Sequence, residues 1–137
     1  MQFEIMDISG DVGIRAYGTS IPEAYENAGA GMYSLITDIS GIDESESIAF
    51  QVSGDSSEGL LVAYLNELIF RFDTYGFIGR RVEVTDLSGG SMSARVHGGE
   101  FDPERHERRL LIKAATYHNI KIKQVGGVWE VEVVFDI

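Results

Sequence analysis

Apolar and polar positions along the chain change period several times, and each change marks an element. Phe3 and Ile5 share one face of Gln2–Asp7, the period-two signature of a strand with one buried side. Ile8-Ser-Gly-Asp11 reads as a turn, and Val12, Ile14 and Ala16 then alternate with Gly13, Arg15 and Tyr17 in a second strand ending at Gly18. Ser20-Ile-Pro-Glu23 has the form of a capping box, with Pro22 in the first turn, where its missing N–H costs nothing. The helix it opens carries Tyr25, Ala28, Met32 and Leu35/Ile36 on one stripe. Gly29 and Gly31 weaken that helix by about 1 kcal/mol each relative to alanine, so close packing against a neighbour is expected to compensate.

Ile39–Ser47 is a polar, acidic loop, followed by a third strand with Ile48, Phe50 and Val52 on one face. Asp55-Ser-Ser-Glu58 forms a second capping box, and Leu61, Tyr64/Leu65, Leu68 and Phe72 continue at helical spacing to a stop near Gly76. Val82 and Val84 match Met92, Ala94 and Val96 across Ser88-Gly-Gly90, a β-hairpin. Asp102-Pro103 opens a short turn, and Leu110–Ala115 is an apolar run. Ile120 and Ile122 mark one more strand, and Gly126-Gly127 turns the chain into the last one. There Trp129, Val131, Val133 and Phe135 alternate with Glu130, Glu132, Val134 and Asp136, which predicts a strand inside a sheet.

Two strands, a helix, a strand, a helix and then strands to the end predict an α+β fold. The strands have polar faces at Glu83/Thr85, Ser93/Arg95/His97, Lys121/Lys123 and Glu130/Glu132, so both helices should cover the opposite face. The expected architecture is a two-layer sandwich, a mixed β-sheet with two main helices packed on one face, in a single domain over residues 1–137.

Charge narrows the function. The chain has 22 acidic and 11 basic side chains, a formal net charge of −11. Nucleic-acid binding through phosphates needs a basic footprint, so direct strong binding to RNA or DNA is not expected. A basic partner protein or a cation suits this surface, as does an acidic surface kept for solubility. No cysteine occurs, which excludes disulfides, thiolate nucleophiles and cysteine-ligated zinc. Met1–Gly10 lacks the basic start and apolar block of a signal peptide. The apolar run Leu60–Leu65 is far below the ~20 residues of a membrane span, so a soluble, cytoplasmic protein without membrane contact is expected.

Oxygen-rich groups are the residues most suggestive of chemistry. Asp7 and Asp11 bracket the first turn; a turn aspartate ordinarily accepts a local backbone hydrogen bond. Asp136 and the α-carboxylate of Ile137 bring two further acidic groups to the end of the last strand. If Asp11 meets them, a cation, a proton or a basic side chain must hold the cluster together, and hard oxygen ligands without cysteine point to Ca²⁺, Mg²⁺ or Mn²⁺. Lys113, inside an apolar run, either extends its charged end to solvent or partners such carboxylates or a phosphate. His118 reads as a hydrogen-bonded structural imidazole, and His106 with its acidic neighbours as a solvated turn. Phosphate loops, dinucleotide fingerprints, nucleophile elbows and HExxH are absent, which argues against a self-sufficient NTPase.

Taken end to end, the chain resembles the archease family. The resemblance rests on Asp7-Ile-Ser-Gly-Asp11-Val-Gly-Ile14 in the place of a DHTADIGI-like motif, then Tyr17-Gly18 and Pro22-Glu23-Ala24. It continues in Leu60-Leu61, Leu65-Asn66-Glu67-Leu68, Gly99-Glu100, His106, Lys113-Ala-Ala-Thr-Tyr-His118 and the ending Asp136-Ile137. Ile8, Ser9 and Gly10 stand where that motif has histidine, threonine and alanine, so no role of those family residues carries over. The resemblance implies a non-catalytic activator of an RtcB-type RNA ligase in tRNA splicing, promoting guanylylation of the ligase with GTP and its multiple turnover. GTP and tRNA would be met only through the ligase. It further implies a divalent-cation site at Asp11, Asp136 and the Ile137 carboxylate, with Ca²⁺ first and Mg²⁺ or Mn²⁺ as alternatives, and a supporting role for Lys113. Asp7 and His118 are further residues that could support the site. A general chaperone and, after it, a metal-dependent phosphoesterase using the same carboxylates are the alternatives.

Overall fold

A computed structural model of the chain describes residues 2–137. In order, the elements are β1 (Phe3–Ile8), β2 (Asp11–Gly18), α1 (Ile21–Ile36), β3 (Glu46–Ser53) and α2 (Ser57–Tyr75), then β4 (Phe77–Ser88), β5 (Ser91–Glu100), β6 (Ala114–Ala115), β7 (Lys121–Val125) and β8 (Val128–Asp136). α1 begins where its capping box predicts, and α2 one residue later than its box places it. The Ser20 side chain accepts from the Glu23 N–H, and the Glu23 carboxylate answers one residue further out, on the Thr19 N–H. In α2 the cap is Ser56, one residue later than the acidic end of its box, and the helix stops on a left-handed Gly76.

The α+β class stands, but the single mixed sheet does not. The strands form a five-stranded sheet, β1-β2-β8-β6 with β7 also on β8, and a three-stranded sheet, β3-β5-β4. Every pairing among the described residues is antiparallel. The reason is local. Consecutive strands are joined by two-residue turns at Ser9-Gly10, Gly89-Gly90 and Gly126-Gly127, all with positive φ, and such turns can only reverse the chain. β3 and β4 do run parallel on either side of α2, but β5 inserts between them, so the strand–helix–strand order conceals an antiparallel sheet.

Both helices share one side, as expected. α1 packs on β2 of the larger sheet and β4 of the smaller, and α2 on β3 and β6, so the helices join the two sheets into one core. Ile14, Val133 and Phe135 face Met32, Leu61, Tyr64 and Leu65 there, all fully buried. On the outer face, Arg15 pairs with Glu132 at 2.7 Å and Glu4 at 3.2 Å, and Lys123 with Glu130 at 3.0 Å. The Arg15 guanidinium and the Tyr17 hydroxyl hold the Glu4 carboxyl below the usual carboxylate range, Tyr17 contributing most. Glu132, expected on a solvated face, is buried at 7% exposure because its cationic neighbours cover it. One apolar expectation also shifts: Trp129 is only half-buried at the hairpin end of β8; of the apolar run Leu110–Ala115, Leu110 and Leu111 are exposed.

Gly29 shows what offsets its low helix propensity. A Cβ there would overlap the hydroxyl of Tyr64, which donates to the Tyr25 carbonyl at 2.8 Å and stacks its ring on Tyr25. Only a bare backbone lets α1 and α2 approach this closely. Gly29→Ala should therefore destabilise the fold by about 1–3 kcal/mol. Gly41→Ala, where nothing lies within 4 Å and φ is not positive, should be neutral or slightly stabilising. Chemical denaturation of the two variants compared with the parent checks both; equal midpoints would refute the packing role of Gly29.

Candidate functional site

The carboxylate end of β8 is fixed from both sides. On one side, the β2–β8 register runs from Gly18 opposite Trp129 to Val12 opposite Phe135. The paired rows end there, and Asp11 and Asp136 are the next residues of their two strands. On the other side, Ala114 pairs with Asp136, and the Lys113 N–H donates to the Asp136 carbonyl at 2.8 Å. Asp11 owes its place to the turn before it: Ser9 and Gly10 have φ of 41° and 91°, and the reversal they make ends with Ile8 opposite Asp11.

Asp11 and Asp136 are both exposed. If the register continues by one row, their Cβ atoms lie about 5 Å apart, and like charges at that separation repel. Among the described residues neither carboxylate is ion-paired. Nor does Asp7 or Asp11 accept a local backbone hydrogen bond through its side chain, unlike Asp38 and Asp102, which accept from Ser40 and Glu104.

The remaining predicted residues divide. Lys113 is exposed, unpaired among the described residues, and anchored by its own amide to Asp136. Asp7 pairs with Val12, one row further in and on the opposite, core-side face from Asp11. His118 is exposed and displaced along β8: it follows Thr116, which bonds to the Val134 carbonyl, and its own N–H donates to the Thr116 hydroxyl. His106 is structural as expected, its Nδ1 accepting from the Asp102 N–H at 2.8 Å. Among the described residues no group of three or more His, Cys, Asp or Glu side chains is arranged to hold a metal. A cation here would thus rest on two side-chain carboxylates and main-chain oxygen, a donor set that fits a hard, weakly held divalent ion rather than zinc.

One residue with a positioning role escaped sequence reasoning. Asn66 of α2 bonds both main-chain groups of Ala115, accepting from its N–H at 2.8 Å and donating to its carbonyl at 3.4 Å. It acts as a one-residue strand partner and fixes the segment that carries Lys113. The signal was present: Asn66 is an amide in the otherwise apolar sequence Leu60–Leu65 and Leu68–Phe70. From the other end, the Arg109 and Leu110 N–H groups close the α1 carbonyls of Ile36 and Leu35. Asn66→Ala should leave the buried Ala115 amide without a partner, at a cost of about 1–3 kcal/mol. Hydrogen exchange should accelerate at residues 113–116 before it does in the α2 core; uniform acceleration would refute a local positioning role.

Comparisons with known proteins agree with this architecture. The model of the Archease protein family (MTH1598/TM1083) matches residues 3–137. The chain is 34% identical to protein archease of Sulfolobus acidocaldarius over 137 residues, 99% of each chain. With protein archease of Aeropyrum pernix it shares 38% over 133 residues, 94% of this chain and 92% of that one. The solution structure of Methanobacterium thermoautotrophicum protein 1598 superposes with a TM-score of 0.85 at 30% identity, covering 99% of both chains. A Thermotoga maritima archease, described as a possible chaperone, shares the fold with a TM-score of 0.69 at 22% identity, over 96% of this chain and 94% of that one. Family model, full-length relatives and fold coincide: the chain belongs to the archease family.

Proposed function

We propose that this protein is a non-catalytic, cytoplasmic activator of an RtcB-type RNA ligase in tRNA splicing, promoting guanylylation of the ligase with GTP and its repeated turnover. Its working part is a divalent-cation site formed by Asp11, Asp136 and the carboxylate at Ile137, with Ca²⁺ as the first expectation and Mg²⁺ or Mn²⁺ as alternatives. The observation that supports this reading is the β2–β8 register, which ends at Val12 opposite Phe135 and leaves Asp11 and Asp136 as the next residues of their strands, both exposed and without a cationic partner among the described residues. Family membership supports it independently.

A hard cation held there would supply positive charge to phosphate oxygens of a partner-bound nucleotide. The chain's own residues do the positioning. The Ser9-Gly10 turn aims Asp11, β8 presents Asp136, and Lys113 adds a fixed positive charge at the same end of the sheet. The surrounding negative charge suits a basic ligase cleft and disfavours free RNA. No part of this role requires a catalytic group on the activator.

A general chaperone is the second reading, favoured by the exposed apolar side chains of Leu111 and Tyr117, at 63% and 62% exposure. It predicts suppression of aggregation of unrelated proteins. A phosphoesterase would instead hydrolyse simple phosphate esters with no ligase present.

Ligation with the cognate ligase, at limiting activator, separates these readings. Asp11→Ala and Asp136→Ala should each lower multiple-turnover ligation by ~10-fold or more, and a chelator should mimic them. Full stimulation by Asp11→Ala would sink the proposal. A tag on the C-terminus, which converts the Ile137 carboxylate to an amide, should impair stimulation more than an N-terminal tag. Equal activity of the two tagged forms would reduce Ile137 to a packing residue.

A further inference from the structure

At the far end of β8 from Asp136, about 23 Å away at ~3.3 Å per strand residue, the fold leaves a cavity. It measures about 510 Å³ and lies between the starts of α1 and α2, the Gly89-Gly90 turn and Trp129. Its walls include Ile21, Leu60, Leu87 and the hydroxyls of Ser57 and Ser88. Not one of its lining residues is charged. Four other cavities, of 410–450 Å³, each have Asp, Glu or Arg in their walls, as a protein of net charge −11 would lead one to expect.

We propose that this cavity is a binding site for an uncharged, planar aromatic or heteroaromatic small molecule. The geometry matches the chemistry on each count. The volume falls in the range of ordinary small-molecule sites, ~300–1,000 Å³. Trp129 is half-buried, although Val131, Val133 and Phe135 on the same face of β8 are at 0–1% exposure, so its ring keeps accessible surface on which another ring can pack. The Ser57 hydroxyl has no hydrogen-bond partner among the described residues, because Tyr25 bonds only its main-chain carbonyl. An anion entering would meet the field of an acidic protein with no counter-ion, and a cation would lose hydration with no carboxylate in the wall to replace it. A neutral ring faces neither cost. The site is independent of the ligase-activator reading, and its test uses neither ligase nor added metal.

Trp129 is the only tryptophan in the chain, so its indole N–H gives a single resonance that reports this cavity alone. Benzamide, benzoate and benzamidinium are near-isosteric probes of charge zero, minus one and plus one. Titrated into the intact protein, benzamide should shift the Trp129 indole N–H saturably with a Kd on the order of 1 mM, usual for a fragment of its size. Amides of Leu87–Gly90 and Ser57 should move with it, and both charged probes should bind more weakly. Ser57→Glu adds a charge to the wall at the first turn of α2, where an acidic residue favours the helix. It should weaken benzamide by about 10-fold or more, and Ser57→Ala by about fivefold at most. No saturable shift at Trp129, equal binding of all three probes, or unchanged binding to Ser57→Glu would each overturn the proposal.

Discussion

Pairing of β8 along both of its edges is the constraint on which the rest of this structure depends. β2 fills one edge from Val12 to Gly18, and β6 and β7 divide the other between Asp136 and Val128. A strand so held cannot slip by one residue without sending Val131, Val133 and Phe135 to the outer face and Glu130, Glu132 and Asp136 into the core. One register therefore sets the hydrophobic core, the ionic ladder of Arg15, Glu132, Lys123 and Glu130, and the row on which Asp11 and Asp136 leave the paired part of β2 and β8. The core and the candidate site are two consequences of the same alignment.

α1 transmits that alignment to the second sheet. It packs on β2 and β4 together, and Gly29 lets α2 come close enough for the Tyr64 hydroxyl to reach a main-chain carbonyl of α1. Its C-terminus is closed by the segment that later carries Lys113, through the Arg109 and Leu110 amides and the Arg109 guanidinium on the Ser34 carbonyl. Arg109 thus supplies the positive charge that the last turn of α1 lacks. From there Asn66 and Asp136 guide the chain alongside β8. Lys113 is exposed, yet the backbone beneath it is bonded on both sides.

Much of this was legible in the residues. Capping boxes marked both helix starts, alternation marked the long strands, and paired glycines marked the hairpin turns. These signals are local: a cap, a period and a turn each involve a few neighbouring residues. The misreadings share a different character. The sheet looked mixed because a strand–helix–strand order suggests parallel pairing, and only the insertion of β5 between β3 and β4 decides otherwise. Leu110 and Leu111 begin an apolar run yet are exposed, because hydropathy does not say whether another element covers a segment. Glu132 looked solvated because its burial comes from Arg15 and Lys121, which are distant in sequence. Asn66 stands in the motif Leu65–Leu68, but its reach to Ala115 spans 49 positions.

By itself, the sequence determined the element types, the strand turns, the acidic balance and the chemical identity of the oxygen donors. Those properties follow from side-chain chemistry and from backbone preferences acting over a few residues. The division into two sheets, the row on which Asp11 and Asp136 leave the paired strands while Asp7 falls on the other face, and the uncharged cavity at Trp129 were decided by the tertiary structure. Each is a meeting of segments separated by tens of residues or more, and such meetings are set by packing and register, which no local pattern encodes.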